Sequence, residues 1–212
     1  MSELVDIRVV GLLCSRLCHE LVNPLGAVNN GIELLVDVGD DMRDDALRLI
    51  GTSAERATRR VQFYRMAYGT AGMSALEDLA AVRALADGLL AEGRVNLDWP
   101  DAARNPPLRE GWGRMLLNMA VAAADSMPRG GTLTVSVATE GSGAVLGVVA
   151  RGDRARIEDD ARPVYAGEVE PGSLTARTVH AYFTRQLARD LGGTLEVSET
   201  GDGTVRFEAR LA

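Results

Sequence analysis

Lysine is missing from this chain altogether: all 23 basic residues are arginine. Schiff-base catalysis and the phosphate-gripping lysine of a P-loop are therefore excluded, because both need the ε-amine. Aromatic residues are scarce at 4%, yet 46% hydrophobic and 25% charged residues over 212 positions describe an ordinary globular chain. That length suits one domain or two small ones with enough core to fold unaided. No run of about 18 uncharged apolar residues occurs, so no membrane span is expected. The opening MSELVDIRVV lacks a basic-then-apolar signal pattern, and a cytoplasmic location is expected. Thirty acids leave a net charge of −7, which argues against a nucleic-acid surface.

Cysteine is nearly absent too. Cys14 and Cys18 stand four apart in a helical stretch. That spacing puts their Cβ atoms about 5–6 Å apart, against the roughly 3.8 Å of a disulfide. With His19 they point to different faces of one helix, a poor basis for a tetrahedral metal site. Both are expected to be small, half-buried apolar residues.

What is present begins with a long amphipathic segment, residues 1–37. With His19 at 0° on a helical wheel, Val10, Leu17, Leu21, Pro24, Val28, Ile32 and Leu35 fall within about 40° of 180°, the expected buried stripe. Arg16, Val22, Asn23, Gly26, Asn30 and Glu33 share the histidine's side, a polar face of small residues. Pro24 inside the helix removes one hydrogen bond and bends the axis. Gly39-Asp40-Asp41 breaks the pattern, and either aspartate can cap a second helix over residues 42–68. Its seam is Met42, Ala46, Leu49, Ile50, Ala57, Val61 and Tyr64. Two such helices make an antiparallel hairpin roughly 40–50 Å long. A hairpin cannot enclose a core, so pairing of two copies into a four-helix bundle, a homodimer, is expected. With the turn near residue 39, level positions sum to about 79. His19 then faces Arg56, Arg59, Arg60 and Phe63, where a phosphoryl group is electrostatically welcome.

Beyond the junction Gly69-Thr70-Ala71-Gly72 the pattern changes. Helices are expected over 78–92, 111–125 and 175–191, and strands over 95–99, 132–139, 144–150, 194–199 and 204–209. A Pro106-Pro107 loop and an irregular charged segment, 153–171, lie between them. The fold class is α+β: a helical hairpin over 1–70, then a two-layer sandwich over 71–212 with helices on one face of a mixed sheet.

The run CHELVNPLGAVNNGIELL, residues 18–35, resembles the phosphoacceptor box of sensor histidine kinases: a histidine, an acid next, and a proline five later. The second half resembles the Bergerat (GHKL-like) ATP-binding domain of those kinases with its chemistry removed. Anchored on Pro128-Arg129-Gly130-Gly131, the stretch LLNMAVAAADSM aligns with the kinase asparagine box. Asn118 fits its first asparagine, while the magnesium-coordinating second falls on Ala122 and a common lysine on Asp125. The D-x-G-x-G loop is replaced by ARGDRARI, and the Gly-rich lid by Thr178-Val179-His180-Ala181. An ATP site needs metal ligands and glycines that let backbone amides approach phosphates, and these have gone. His180 reads as structural, standing where glycine has been lost.

DMRDDALRLIGTSAE followed by QFYRMAYG closely resembles the ChpT family of histidine phosphotransferases, over essentially the whole chain and most specifically in residues 12–72. That resemblance implies a cytoplasmic homodimer in a multistep phosphorelay. The donor would be the receiver domain of a CckA-like hybrid histidine kinase, and the acceptors CtrA-like and CpdR-like response regulators. Magnesium is expected only in the partner receiver, and no cofactor in this chain. His19 is the expected phosphoacceptor. Glu20 would orient its imidazole or take the ring proton, and Asn23 would bond the phosphoryl group or a water. Val22, Gly26, Asn30 and Glu33, with Arg43 and Leu47 near the turn, form the expected docking strip. Three other readings stay open on the residues alone: a histidine kinase with unorthodox ATP contacts, a non-catalytic dimeric scaffold that holds receivers, and a phosphatase-only role through Asn23 and water, which overlaps the main one.

Overall fold

A computed structural model of the chain describes residues 6–37, 42–69, 76, 78–91, 93–99, 108–141 and 143–212. The expected turn at 39–41, the Pro106-Pro107 loop and the 70/71 domain boundary lie outside the described residues.

Helix α1 (Ile7–Asp37) runs unbroken through Pro24 and packs along α2 (Arg43–Tyr68). Asp44 and Asp45 in the first turn of α2 and Arg65 in its last oppose the helix dipole favourably. The expected register holds: Glu20 pairs with Arg60, and Gly31 lies against Ile50, at sums of 80 and 81. The expected apolar seams are only partly covered. Pro24, Ala46, Ala57 and Tyr64 are buried and Leu17, Leu21, Val28, Leu35, Leu49 and Ile50 half-buried, but Val10, Ile32, Met42 and Val61 are exposed. Each helix of a two-helix hairpin has one neighbour, which shields one flank and leaves the other bare. Cys14 and Cys18 lie on that bare flank and are exposed rather than half-buried.

Helix α3 (Leu79–Leu90) starts where Asp78 caps it, its carboxylate accepting from the Ala80 amide at 2.9 Å. Then come β1 (Val95–Asp98), α4 (Trp112–Asp125), β2 (Gly131–Glu140) and β3 (Gly143–Arg151). Residues 153–171, expected to be irregular, contain α5 (Arg162–Ala166), and a 3-10 turn (Pro171–Ser173) follows. Pro163 and Pro171 start these short turns, a position where a missing amide costs nothing. Helix α6 (Val179–Asp190), β4 (Thr194–Glu199) and β5 (Thr204–Leu211) complete the described elements.

The sheet order is β1-β2-β3-β5-β4, with β1 parallel to β2 and every other pair antiparallel. Strand alternation sets its buried face. Val135, Val148, Phe207 and Val197 form one row across four strands, facing the helices. Gly130 makes the entry to β2 possible: its φ is +85°, and a Cβ there would lie 2.2 Å from the Arg94 carbonyl oxygen. Helix α4 is buried on nearly every side between α3, α6 and the sheet, so Met115, Leu116, Leu117 and Met119 centre the core. That core also takes in Phe63, Tyr64, Met66 and Ala67, so the last turns of α2 belong to it.

Candidate functional site

His19 sits in the middle of α1 and is exposed. Val22, Asn23, Asn30 and Glu33 are exposed along the same face, and Gly26 is half-buried with open space where a Cβ would stand. Arg43 and Leu47 are also exposed at the turn end. The structure therefore brings this strip together on one side of the hairpin.

Across from it, Glu20 is half-buried and its carboxylate accepts a hydrogen bond from Arg60 of α2. Arg59 pairs with Glu55 at 3.6 Å, and Arg56 is half-buried beside them. A cleft of about 220 Å³ opens here, lined by Glu20, Arg56, Arg60, Tyr64, Leu89 and Asp125 among others. Two residues expected to face the partner do not. Phe63 is fully buried and meets Tyr64 edge-on, because α2 turns its aromatic end into the C-terminal domain. Arg16, expected on the solvent face, has a side chain only 13% exposed and donates to the Asp125 carboxylate at 2.5 Å. The wheel of an isolated helix carries no sign that α4 covers that flank.

Asp125 belongs to a joint that sequence reasoning missed. The carbonyls of Ala67 and Tyr68 at the end of α2 have no partner within the helix. Arg114 of α4 supplies one, donating to the Ala67 oxygen at 3.1 Å and the Tyr68 oxygen at 2.8 Å. Asn118, fully buried, donates its Nδ2 to the same Ala67 oxygen at 2.8 Å. The Arg114 guanidinium also stacks on Phe183, 5.3 Å from the ring centre. Buried His180 completes the joint. Its Nε2 lies 3.1 Å from the Asn118 carbonyl oxygen, which only accepts, so Nε2 carries the proton. Nδ1 is then the acceptor for the Tyr68 hydroxyl at 3.1 Å. Burial, helped by the Arg16 charge, lowers the His180 pKa to about 3. Burial pushes the Tyr68 phenol up to about 12, keeping it a donor. The signal for Asp125 was available: an acid closing the apolar run Met119–Ala124 calls for a cation.

Between α4 and α6 lies a cavity of about 80 Å³, lined by Ala122, Asp125, Tyr165, His180, Ala181 and Phe207 among others. Ligand pockets run to about 300–1,000 Å³, several times this volume.

Comparison with known proteins agrees with this architecture. The histidine phosphotransferase C-terminal domain family matches residues 79–203. Protein phosphotransferase ChpT of Brucella abortus (strain 2308) is 31% identical over 195 residues, covering 92% of this chain and 91% of that protein. The chain belongs to the ChpT family of histidine phosphotransferases. A solved structure of a bacterial phosphotransferase at 1.7 Å superposes with a TM-score of 0.81 and 27% identity, covering 97% of both chains. The activity of the family is protein phosphotransfer, its role a phosphorelay, and response regulators are the class of partner that this implies. No described helix is long and apolar enough to cross a membrane.

Proposed function

We propose that His19 is the residue that accepts and then donates the phosphoryl group, that receiver domains are both its source and its destination, and that a homodimer is the working unit. The observation that carries this is an exposed imidazole midway along a rigid hairpin, on a strip that two ion-paired neighbours leave open. A lone pair of the neutral imidazole attacks phosphorus in an aspartyl phosphate. The N–P bond forms as the P–O bond breaks, and the aspartate leaves as a carboxylate. Positive charge gathers on the ring, whose other nitrogen gives up its proton. Glu20, adjacent in sequence and held by Arg60, is the carboxylate assigned to orient the imidazole or take that proton, and Asn23 the donor of a hydrogen bond to the phosphoryl oxygens. Such a transfer is chiefly positioning and charge stabilisation, so the chain needs no metal or nucleotide of its own. Magnesium belongs to the receiver.

Support for the dimer comes from where apolar surface is left bare. Every large hydrophobic side chain exposed among the described residues lies between Ile7 and Val61, including Val10, Leu25, Ile32 and Val36 on α1, off the His19 strip. A patch of that kind marks an interface. Support for a nucleotide-free reading comes from the small cavity and from Ala122 where the kinase pattern has an asparagine. The donor receiver would be that of a CckA-like hybrid kinase, and the acceptors CtrA-like and CpdR-like regulators.

The test is transfer of labelled phosphate to the pure protein, from ATP alone and from a phosphorylated receiver, with His19→Ala beside it. Base-stable label that requires the receiver and vanishes in His19→Ala is the expected result. Label from ATP alone refutes the nucleotide-free reading. No label from any donor refutes transfer through His19 and leaves a scaffold.

A further inference from the structure

Three positions that a kinase-like domain would turn toward nucleotide are turned here toward the hairpin. Asn118 binds the Ala67 carbonyl, His180 the Tyr68 hydroxyl, and Asp125 the Arg16 guanidinium. Arg16 lies three residues before His19, about 4.5 Å along the helix axis. The C-terminal domain is thus anchored within one turn of the phosphoacceptor. In the structure the domain stands to one side and His19 is exposed.

We propose that Asp125 is a positioning residue for phosphotransfer. Its ion pair with Arg16, backed by Asn118 and His180, locks the domain in the orientation that leaves His19 open to a docking receiver. This rests on the reading of His19 as phosphoacceptor. A loose domain would cover the imidazole part of the time, and the apparent affinity for a receiver falls by the fraction of molecules left open. The chemical step, once a receiver is docked, is unchanged. A lysine at 125, the residue common in the kinase pattern, would face Arg16 with a like charge and release the lock.

The experiment measures transfer from a phosphorylated receiver to full-length protein for wild type, Asp125→Asn, Asp125→Lys and the charge swap Arg16→Asp/Asp125→Arg. Chemical labelling of His19 by phosphoramidate and amide hydrogen exchange in the last turn of α2 accompany it. If the open fraction drops to about one tenth, KM for the receiver rises about tenfold with kcat unchanged. Phosphoramidate labelling of the Asp125→Asn protein is expected to slow by the same factor, because a covered imidazole is shielded from any donor; exchange in α2 is expected to speed up, and the swap to restore both KM and labelling. An unchanged KM in folded Asp125→Asn and Asp125→Lys overturns the proposal, as does a loss confined to kcat. Should Asp125→Lys fail to fold, Asp125→Asn alone decides. If wild type takes no phosphate from receivers, the phosphoacceptor reading fails, and the exchange rates decide separately whether Asp125 locks the domain.

Discussion

The joint at His180 makes stability depend on pH in a direction that can be worked out. The folded chain holds the imidazole neutral, one nitrogen donating to the Asn118 carbonyl and the other accepting from Tyr68, with a pKa near 3. In the unfolded chain a histidine takes up a proton at about 6.5. The unfolded state therefore binds more protons throughout that window. Stability is fully present above pH 6.5 and is lost as the pH falls toward 3. Between pH 7.5 and pH 5 the loss amounts to about 2 kcal/mol, with a limiting slope of about 1.4 kcal/mol per pH unit. Carboxylates titrate nearby, so the measurement is a difference. Urea unfolding at fixed protomer concentration is followed from pH 7.5 to 5 in a His19→Ala background, where His180 is the only histidine left. The same series is run after His180→Gln. Glutamine costs stability at every pH but does not titrate, so the gap between the two proteins narrows by about 2 kcal/mol at pH 5. Parallel curves would refute the reasoning, because they would mean that the folded imidazole takes up its proton as readily as the unfolded one.

Other consequences follow from single positions. Gly113 packs so closely that a Cβ would lie 2.2 Å from the Leu76 carbonyl oxygen; Gly113→Ala loses about 2 kcal/mol in thermal or urea unfolding, despite alanine's better helix propensity. Arg154 holds φ at +60°, in the loop that replaces a glycine motif. Arg154→Gly relieves about 1 kcal/mol of backbone strain, read as a rise in Tm. Leu25 is half exposed on the bare flank of α1; Leu25→Glu yields a folded monomer by light scattering, and a persistent dimer would contradict the proposed interface.

Much of the architecture was legible because it rests on periodicities. Periodicity gave the two long helices and the five strands, and the hairpin turn set His19 level with about residue 60, one position from the observed pair of Glu20 with Arg60. What could not be read was which flank of each helix another domain would cover. Arg16 looks outward on a wheel and Phe63 stands level with His19, yet Arg16 pairs with Asp125 of α4 and Phe63 is buried in the core, so two expected docking residues are not free to dock. Cys14, Cys18, Val10 and Ile32 fail in the opposite sense: apolar periodicity marks surface to be buried without naming the molecule that buries it. Helix α5 escaped because five residues are too few to show a period.

The division at residue 70, natural from composition, runs across one continuous core. Phe63, Tyr64, Met66 and Ala67 are buried by α3 and α4 rather than by α1 alone, and the carbonyls that end α2 are bonded by Arg114 and Asn118. Buried carbonyls without donors cost about 1–3 kcal/mol each, and so do buried asparagine and histidine groups without partners. Loss of nucleotide contacts would have stranded Asn118 and leaves no polar role for a residue at 180. The end of α2 needs donors in the same place. Arg114 and the Asn118 amide nitrogen supply those donors, and His180 pairs with Tyr68 and the Asn118 backbone carbonyl, so the C-terminal domain completes the end of the hairpin helix that carries Arg60.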